Sequence, residues 1–438
     1  MKMKTVLVAC ITIMLSTSSF VGCSKSDSNE SSSGTTKKNI TLTFGSHQSG
    51  LPTSGIVQEI AKDYEKETGV KIDFQITPDA QWRDLLKTKI AGGEAPDIYC
   101  ADADPFSLYD RIRPDTNAVD LTNEEFAKRM DKTAIPSFSY KDKIYGISFS
   151  GYKVFWYYYN KKVFSELGLK VPTTYLEFKD VCAKIAATGK TPVYEGIQNG
   201  WHQVLPLFET GGNYLKSDPE IYDKLNNNIV NIKDVKGIKT VLTQLKEFQT
   251  LGYFGKDYMS NTVEGGKKAF ADGEAAIVLD GFGWEQDLAK DFPDTKDNVG
   301  VFIQPWADNK VLGVNPASNA YFANAKSKNK DEAVKFFRYL AKPEVLQKRL
   351  DGDPTSLQLC WPEIKPKYPQ SYIDYIATIE KATVVQVGVK YVDPQWMDIG
   401  KDIAAMYSGV MTPEDVMNAI SKRRDDQAKL QKDPAWTK

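Results

Sequence analysis

Histidine is almost missing from this chain. His47 and His202 are the only two in 438 residues. Protein zinc sites are built largely from His and Cys at short spacing, and the cysteines offer no such spacing either. Beyond residue 23 the chain holds only Cys100, Cys182 and Cys360, with no CxxC pair. Each lies in an apolar or aromatic run and reads as a small core hydrophobe. No metal and no other cofactor is expected. An excess of positive charge is also missing: 56 Lys and Arg face 57 Asp and Glu. No basic field exists to attract nucleic acid. After the first 22 residues no apolar run approaches the roughly 20 residues a membrane-spanning helix needs. No Gly-x-Ser-x-Gly elbow is present, and no internal repeat suggests a modular adhesin or scaffold.

What is present begins at the N-terminus. Lys2 and Lys4 precede an apolar stretch from Val6 to Leu15, interrupted only by Thr12, and Ser16 to Ser19 follow. A basic start, a short apolar segment and small residues make a secretory signal. Phe20-Val21-Gly22-Cys23 resembles a bacterial lipobox, with Phe20 where Leu is usual. That resemblance implies cleavage before Cys23 and lipidation of its sulfur; the plainer alternative is a secretory signal with a chance cysteine. Residues 1–22 are then the leader. Residues 23–38 are a flexible tether, since Ser24 to Lys38 contains no apolar residue and cannot fold by burying surface.

The remaining body is long enough for two domains with sizeable cores. It opens as strand, helix, strand. Ile40, Leu42 and Phe44 alternate. Ser54 is a candidate cap for a helix with Ile56, Val57, Ile60, Ala61 and Tyr64 on one face, ended by Gly69. Val70 to Ile76 alternates again, Gln81 to Ile90 reads as a helix, and Ala95 to Cys100 as a third strand. Strands separated by helices imply an α/β fold with a parallel sheet. Ligands then sit beyond the strands' carboxyl ends. Further on, Thr174 with Glu177 forms a capping box, and Trp156 to Tyr159 reads as a buried strand. Asp331 to Leu340 is amphipathic and stops near Pro343, and Thr412-Pro413 opens the last helix.

Several segments together resemble the extracellular solute-binding proteins of carbohydrate ABC importers, the maltodextrin-binding type. They are Gly92 to Ile98, Tyr145 to Ile147, Trp156 to Phe164, Ala269 to Ala276 with Gly281 to Trp284, and Ala325 to Ala333. The resemblance runs from near residue 40 to the C-terminus in consistent order. It implies two α/β lobes of the periplasmic-binding-protein type II kind, with a ligand cleft between them and three crossovers near 148–152, 312–320 and 354–360. The N-terminal lobe is then 39–149 with 319–355, and the C-terminal lobe 150–318 with 356–438. It further implies a monomeric, non-enzymatic carrier on the outer face of the cell membrane, or in a periplasm. Such a carrier touches the membrane through its lipid only, binds no nucleic acid, and passes an oligosaccharide or other hydroxylated solute to permease subunits.

A sugar needs flat aromatics for its C–H faces and short polar groups for its hydroxyls. Candidates in loop contexts are Trp82, Trp201, Trp284, Trp306, Trp361 and Trp396; Trp201 and Trp284 also match binding positions of the family. Asp102 and Asp104 follow the third strand and can accept paired hydroxyls, or cap the next helix. His47 and Gln48 sit in the loop after the first strand. Asn199 and His202 flank Trp201, and Gly281 lets backbone approach a ligand. The rival from another class is a secreted glycoside hydrolase using two carboxylates such as Asp102 and Asp104; a tethered surface-binding protein is the other.

Overall fold

The computed structural model describes residues 40–104, 108–132, 134–315, 317 and 319–437. The signal segment, the tether and Cys23 lie outside the described residues. The alternating segments form parallel strands. Ile40–His47 pairs with Val70–Thr77 along its whole length, from Ile40 opposite Val70 to His47 opposite Thr77. Its other edge pairs with Ile98–Asp102. That third strand begins later than the alternation suggests. Pro96 has no N–H for a ladder, and the Asp97 carboxylate instead accepts from Thr43 N (2.8 Å) and Thr43 Oγ1 (2.9 Å). Helix Ile56–Thr68 buries the expected face and ends at Gly69, φ 78°. Its start differs from expectation: Gly55, left-handed at φ 75°, holds the cap position, and the Ser54 hydroxyl makes no bond.

The first sheet is completed from a distance. Asn319–Ala323 runs antiparallel to Ile98–Asp102 and to Gly146–Ile147, giving five strands in the order 70–77, 40–47, 98–102, 319–323, 146–147. Helix Lys330–Leu340 packs beside helix Ile56–Thr68, with the Phe336 ring 5.0 Å from that of Tyr64. Pro343 does more than end that helix; it is the first residue of the next, Pro343–Asp351, where a missing N–H costs nothing.

The second sheet has four strands, ordered 299–302, 155–160, 275–281, 191–194. Phe155–Asn160 is antiparallel to both of its neighbours, and Thr191–Tyr194 is parallel to Ala275–Gly281. Trp156, Tyr157 and Tyr158 are buried within it. Helix Tyr175–Ala186 carries the expected capping box, and Thr412 with Asp415 makes another at helix Pro413–Leu430. Each sheet has its own apolar core. Leu359, Cys360, Trp361 and Ile364 belong to the first core, although a boundary at 356 assigns them to the second lobe.

Three crossovers join the lobes and bond to one another. Lys153 N donates to Asn315 O (2.8 Å), Asn315 N donates to Lys153 O (2.9 Å), and Tyr152 N donates to Gln358 O (3.2 Å). Gly151 pairs with Leu359. A Cβ on Gly151 would stand 1.9 Å from Gln358 O, so only glycine permits this approach. Among the described residues no helix is long and apolar enough to cross a membrane.

Candidate ligand cleft

A cavity of about 910 Å³ lies between the lobes. The carboxyl ends of strands 40–47 and 98–102 bring His47, Asp102 and Asp104 to its first wall. The end of strand 275–281 brings Asp280 and Gly281 to the second wall, beside Phe155, Trp201, Glu209, Gln386 and Trp396. This is the placement expected of open α/β sheets.

On the first wall the charges are already paired. His47 Nδ1 lies 3.0 Å from Ser49 Oγ and 3.2 Å from Asp79 Oδ1. Burial works against its charge, but the Asp79 bond prevails and the imidazole is pushed up to about 10. Asp102 Oδ2 accepts from Arg83 Nε (2.8 Å) and Arg111 Nη1 (3.0 Å). Burial alone would raise that carboxyl; Arg83 and Arg111 hold it well below the usual range instead. The other arm of Arg111 donates to Asp393 of the second lobe, so one guanidinium bridges the two lobes. Arg349 Nη1 donates to Asp353 Oδ2 (2.9 Å).

The second wall is aromatic and less satisfied. Trp201 is half-buried, its ring 6.2 Å from Phe155 at 60°. The Trp396 indole donates to Trp201 O (2.9 Å) and fixes that loop. Glu209 Oε1 accepts from Gln386 Nε2 (3.0 Å), while Glu209 Oε2 and Gln386 Oε1 are buried with no partner among the described residues. Burial pushes the Glu209 carboxyl up to about 8. Burial likewise pushes Asp280 up to about 6, against the opposing pull of the bond it accepts from the Gly281 N–H (2.7 Å).

Of the sequence candidates, His47, Trp82, Asp102, Asp104, Trp201, Gly281, Trp284 and Trp396 line the cleft. Two of these offer little surface. Trp82 lies on Gly45 and donates to Cys100 O (2.8 Å). Trp284 packs 4.9 Å from Tyr158 and edge-on to Phe270. Five candidates are not brought to the cleft. Trp306 is fully buried, donates to Tyr157 Oη (3.1 Å) and packs against Phe178 and Phe248. Trp361 is buried in the first core, donates to Ser148 O (3.0 Å) and carries Arg129 over its face. His202 is buried with Nδ1 2.9 Å from Glu195 Oε1 and Nε2 2.9 Å from Leu279 O. Both neighbours are acceptors, and although burial opposes charge, Glu195 raises the imidazole. Asn199 ties down its own loop by accepting from Val263 N (2.8 Å). Gln48 is exposed outside the lining.

Sequence reasoning missed Phe155, Glu209, Asp280, Gln386, Lys153 and the Arg111–Asp393 bridge. Asp280 carried a signal, since it ends a strand immediately before the two-glycine segment Gly281 to Gly283. Glu209 and Gln386 carried none, because they meet across 177 residues. Among the described residues no group of three or more His, Cys, Asp or Glu could hold a metal ion.

Two lobes, three bonded crossovers and a polar-aromatic cleft define a two-lobe ligand-binding protein. The chain belongs to the bacterial extracellular solute-binding protein family, whose model matches residues 49–347. It is 26% identical to the multiple sugar-binding protein of Streptococcus mutans, over 77% of this chain and 79% of that one. It is 23% identical to a maltooligosaccharide ABC transporter solute-binding lipoprotein of Streptococcus pneumoniae, over 66% of each. The fold matches that of a Bacillus licheniformis sugar transporter solved in complex with stachyose. The TM-score is 0.72 at 18% identity, over 88% of this chain and 99% of that one.

Proposed function

We propose that this chain is the substrate-binding component of an ABC importer, that it captures a sugar, specifically an oligosaccharide, and that it is not an enzyme. The observation that carries the reading is the second wall. A half-buried Trp201 beside Phe155 offers flat apolar surface, and carboxylates line the same cavity. Those are the two kinds of surface a pyranose presents in reverse. The names of the relatives support the sugar, and one is itself called a lipoprotein. In this reading lipidated Cys23 anchors a monomer to the outer face of the membrane. The lobes are 39–149 with 319–355 and 150–318 with 356–438, the packing of 359–364 counting with the first. They close on the sugar about the bonded crossovers, and membrane permeases receive it.

The test is a thermal-shift screen over maltodextrins, raffinose-series and xylo-oligosaccharides, followed by recovery of the sugar. A ligand bound only by the folded state at 100 times its Kd stabilises by about 2.7 kcal/mol. An upward shift with the sugar recovered intact supports the carrier. Cleaved sugar supports a hydrolase instead, and no shift across the panel removes the sugar reading.

A further inference from the structure

Resting on that reading, we infer that Lys153 and Asp280 are a specificity pair that makes the cleft select a neutral hydroxylated ring over one bearing a carboxylate. Lys153 belongs to the first crossover, its backbone locked to Asn315 by two hydrogen bonds. Its side chain is half-buried and lines the cleft. Among the described residues its ammonium has neither hydrogen bond nor ion pair, although burial pushes it below its ordinary value. Asp280 faces the same cavity from the end of strand Ala275–Gly281. Gly281 N occupies one of its oxygens, and among the described residues the second has no hydrogen-bond partner. Asp353, already bonded to Arg349, acts on the Lys153 ammonium more strongly than Asp280 does, and Asp280 is the next carboxylate to act on it; neither forms an ion pair with it among the described residues. Two opposite charges, each costly to bury unpaired, therefore flank an opening at the hinge.

A hydroxyl group suits that opening because it both accepts and donates. One hydroxyl oxygen accepts from the Lys153 ammonium, and the same or a neighbouring hydroxyl donates to Asp280. Both are charge-assisted bonds, the stronger kind. A ring carboxylate suits it poorly. It would gain Lys153 but lie against Asp280, in a cleft lined by ten Asp and Glu side chains, of which buried Glu209 is pushed toward its neutral form, and by six lysines and arginines. Four of those cations are already engaged: Arg83 with Asp102, Lys267 with Asp287, Lys268 with Asp272 and Arg349 with Asp353. Lys290 is exposed. Among the described lysines and arginines of the lining, Lys153 is the interior one with no hydrogen-bonded partner, and Asp280 is the carboxylate near it that no cation holds, since Asp353 is engaged by Arg349.

The test is titration calorimetry on wild type, Lys153→Met and Asp280→Asn, with Lys153→Gln and Asp280→Ser as substitutes should either fail to fold. The neutral probes are maltotriose, raffinose and xylotriose, and the acidic probe is xylotriose bearing a glucuronate. Wild type is expected to bind a neutral probe at least about tenfold more tightly than the acidic one. Each variant should weaken the neutral probe by about tenfold, the size of one charge-assisted bond. Asp280→Asn should narrow the gap between neutral and acidic probes, and Lys153→Met should widen it. Folded variants that bind neutral sugar as wild type does, or that lose both probes equally, overturn the pair while leaving the sugar reading intact. Wild type that binds none of the neutral probes overturns both.

Discussion

The two walls of the cleft use the same residue types to opposite effect. On the first wall Asp102 is held ionised by Arg83 and Arg111, and His47 is held charged by Asp79. On the second wall Glu209 and Asp280 lack cationic partners in hydrogen-bond contact, and burial drives both carboxyls upward. One wall has the charges of His47, Asp102 and Arg349 paired before any ligand arrives. The other holds an unsatisfied carboxylate oxygen, an unsatisfied amide oxygen and a half-buried indole. Preorganisation lowers the cost of binding, and unmet hydrogen-bonding capacity gives a ligand something to satisfy. In the proposed sugar-binding reading, the first wall would serve as the rigid template and the second would supply the larger share of ligand recognition.

The comparison is sharpened most by a tryptophan that lies behind the second wall. Trp306→Ala should destabilise the protein by about 3–5 kcal/mol, as large aromatic truncations in packed cores do. Urea unfolding measures this. A loss below about 1 kcal/mol would show that the indole is not packed as described. Arg111→Met should cost about 3 kcal/mol, because it leaves Asp393 and part of the Asp102 pairing buried without their cation. The same urea midpoint reads it, and an unchanged midpoint would mean that the interlobe bridge does not form in solution.

Acidity separates the walls next. The folded-state pKa of Glu209 is about 8, above its ordinary value of 4.5. The native state then keeps a proton that the unfolded chain has released, so stability falls as pH rises from about 4.5 to about 8. Glu209→Gln removes that slope. It should match wild type near pH 4.5 and exceed it by on the order of 2 kcal/mol at pH 8, a fraction of a full carboxylate burial penalty. Asp102 behaves oppositely, since its lowered pKa means that stability is lost as pH falls through the carboxylate range. Parallel pH profiles for wild type and Glu209→Gln would break the contrast between the walls. The smallest effect is on binding: Trp201→Ala should weaken a sugar by about tenfold or less, the scale of 0.5–1.5 kcal/mol for aromatic stacking, with folding unchanged. Normal calorimetric binding by that variant would return Trp201 to a packing role.

The sequence showed the elements far better than the site. Helix Tyr175–Ala186 was legible because its capping box and apolar face are local chemistry. The helix at Ile56 was legible too, but its start was misread, because Gly55 and Ser54 are equally plausible caps until the backbone angle is known. Among six loop tryptophans, context distinguished poorly. Trp201 and Trp306 both follow Gly or Pro, yet one is half-buried at a cleft and the other is sealed by Tyr175, Phe178 and Phe248.

Periodicity, caps and the ordered family segments by themselves determined that this is a two-lobe α/β protein of the solute-binding family. Those signals are carried by residues within a helical turn or a strand of each other. Only the tertiary structure decided which aromatics face the cleft and which carboxylates stay unpaired. The reason is distance along the chain: Arg111 meets Asp393 across 282 residues and Glu209 meets Gln386 across 177. Burial, and with it the charge state of each carboxyl, is set by neighbours that folding brings together.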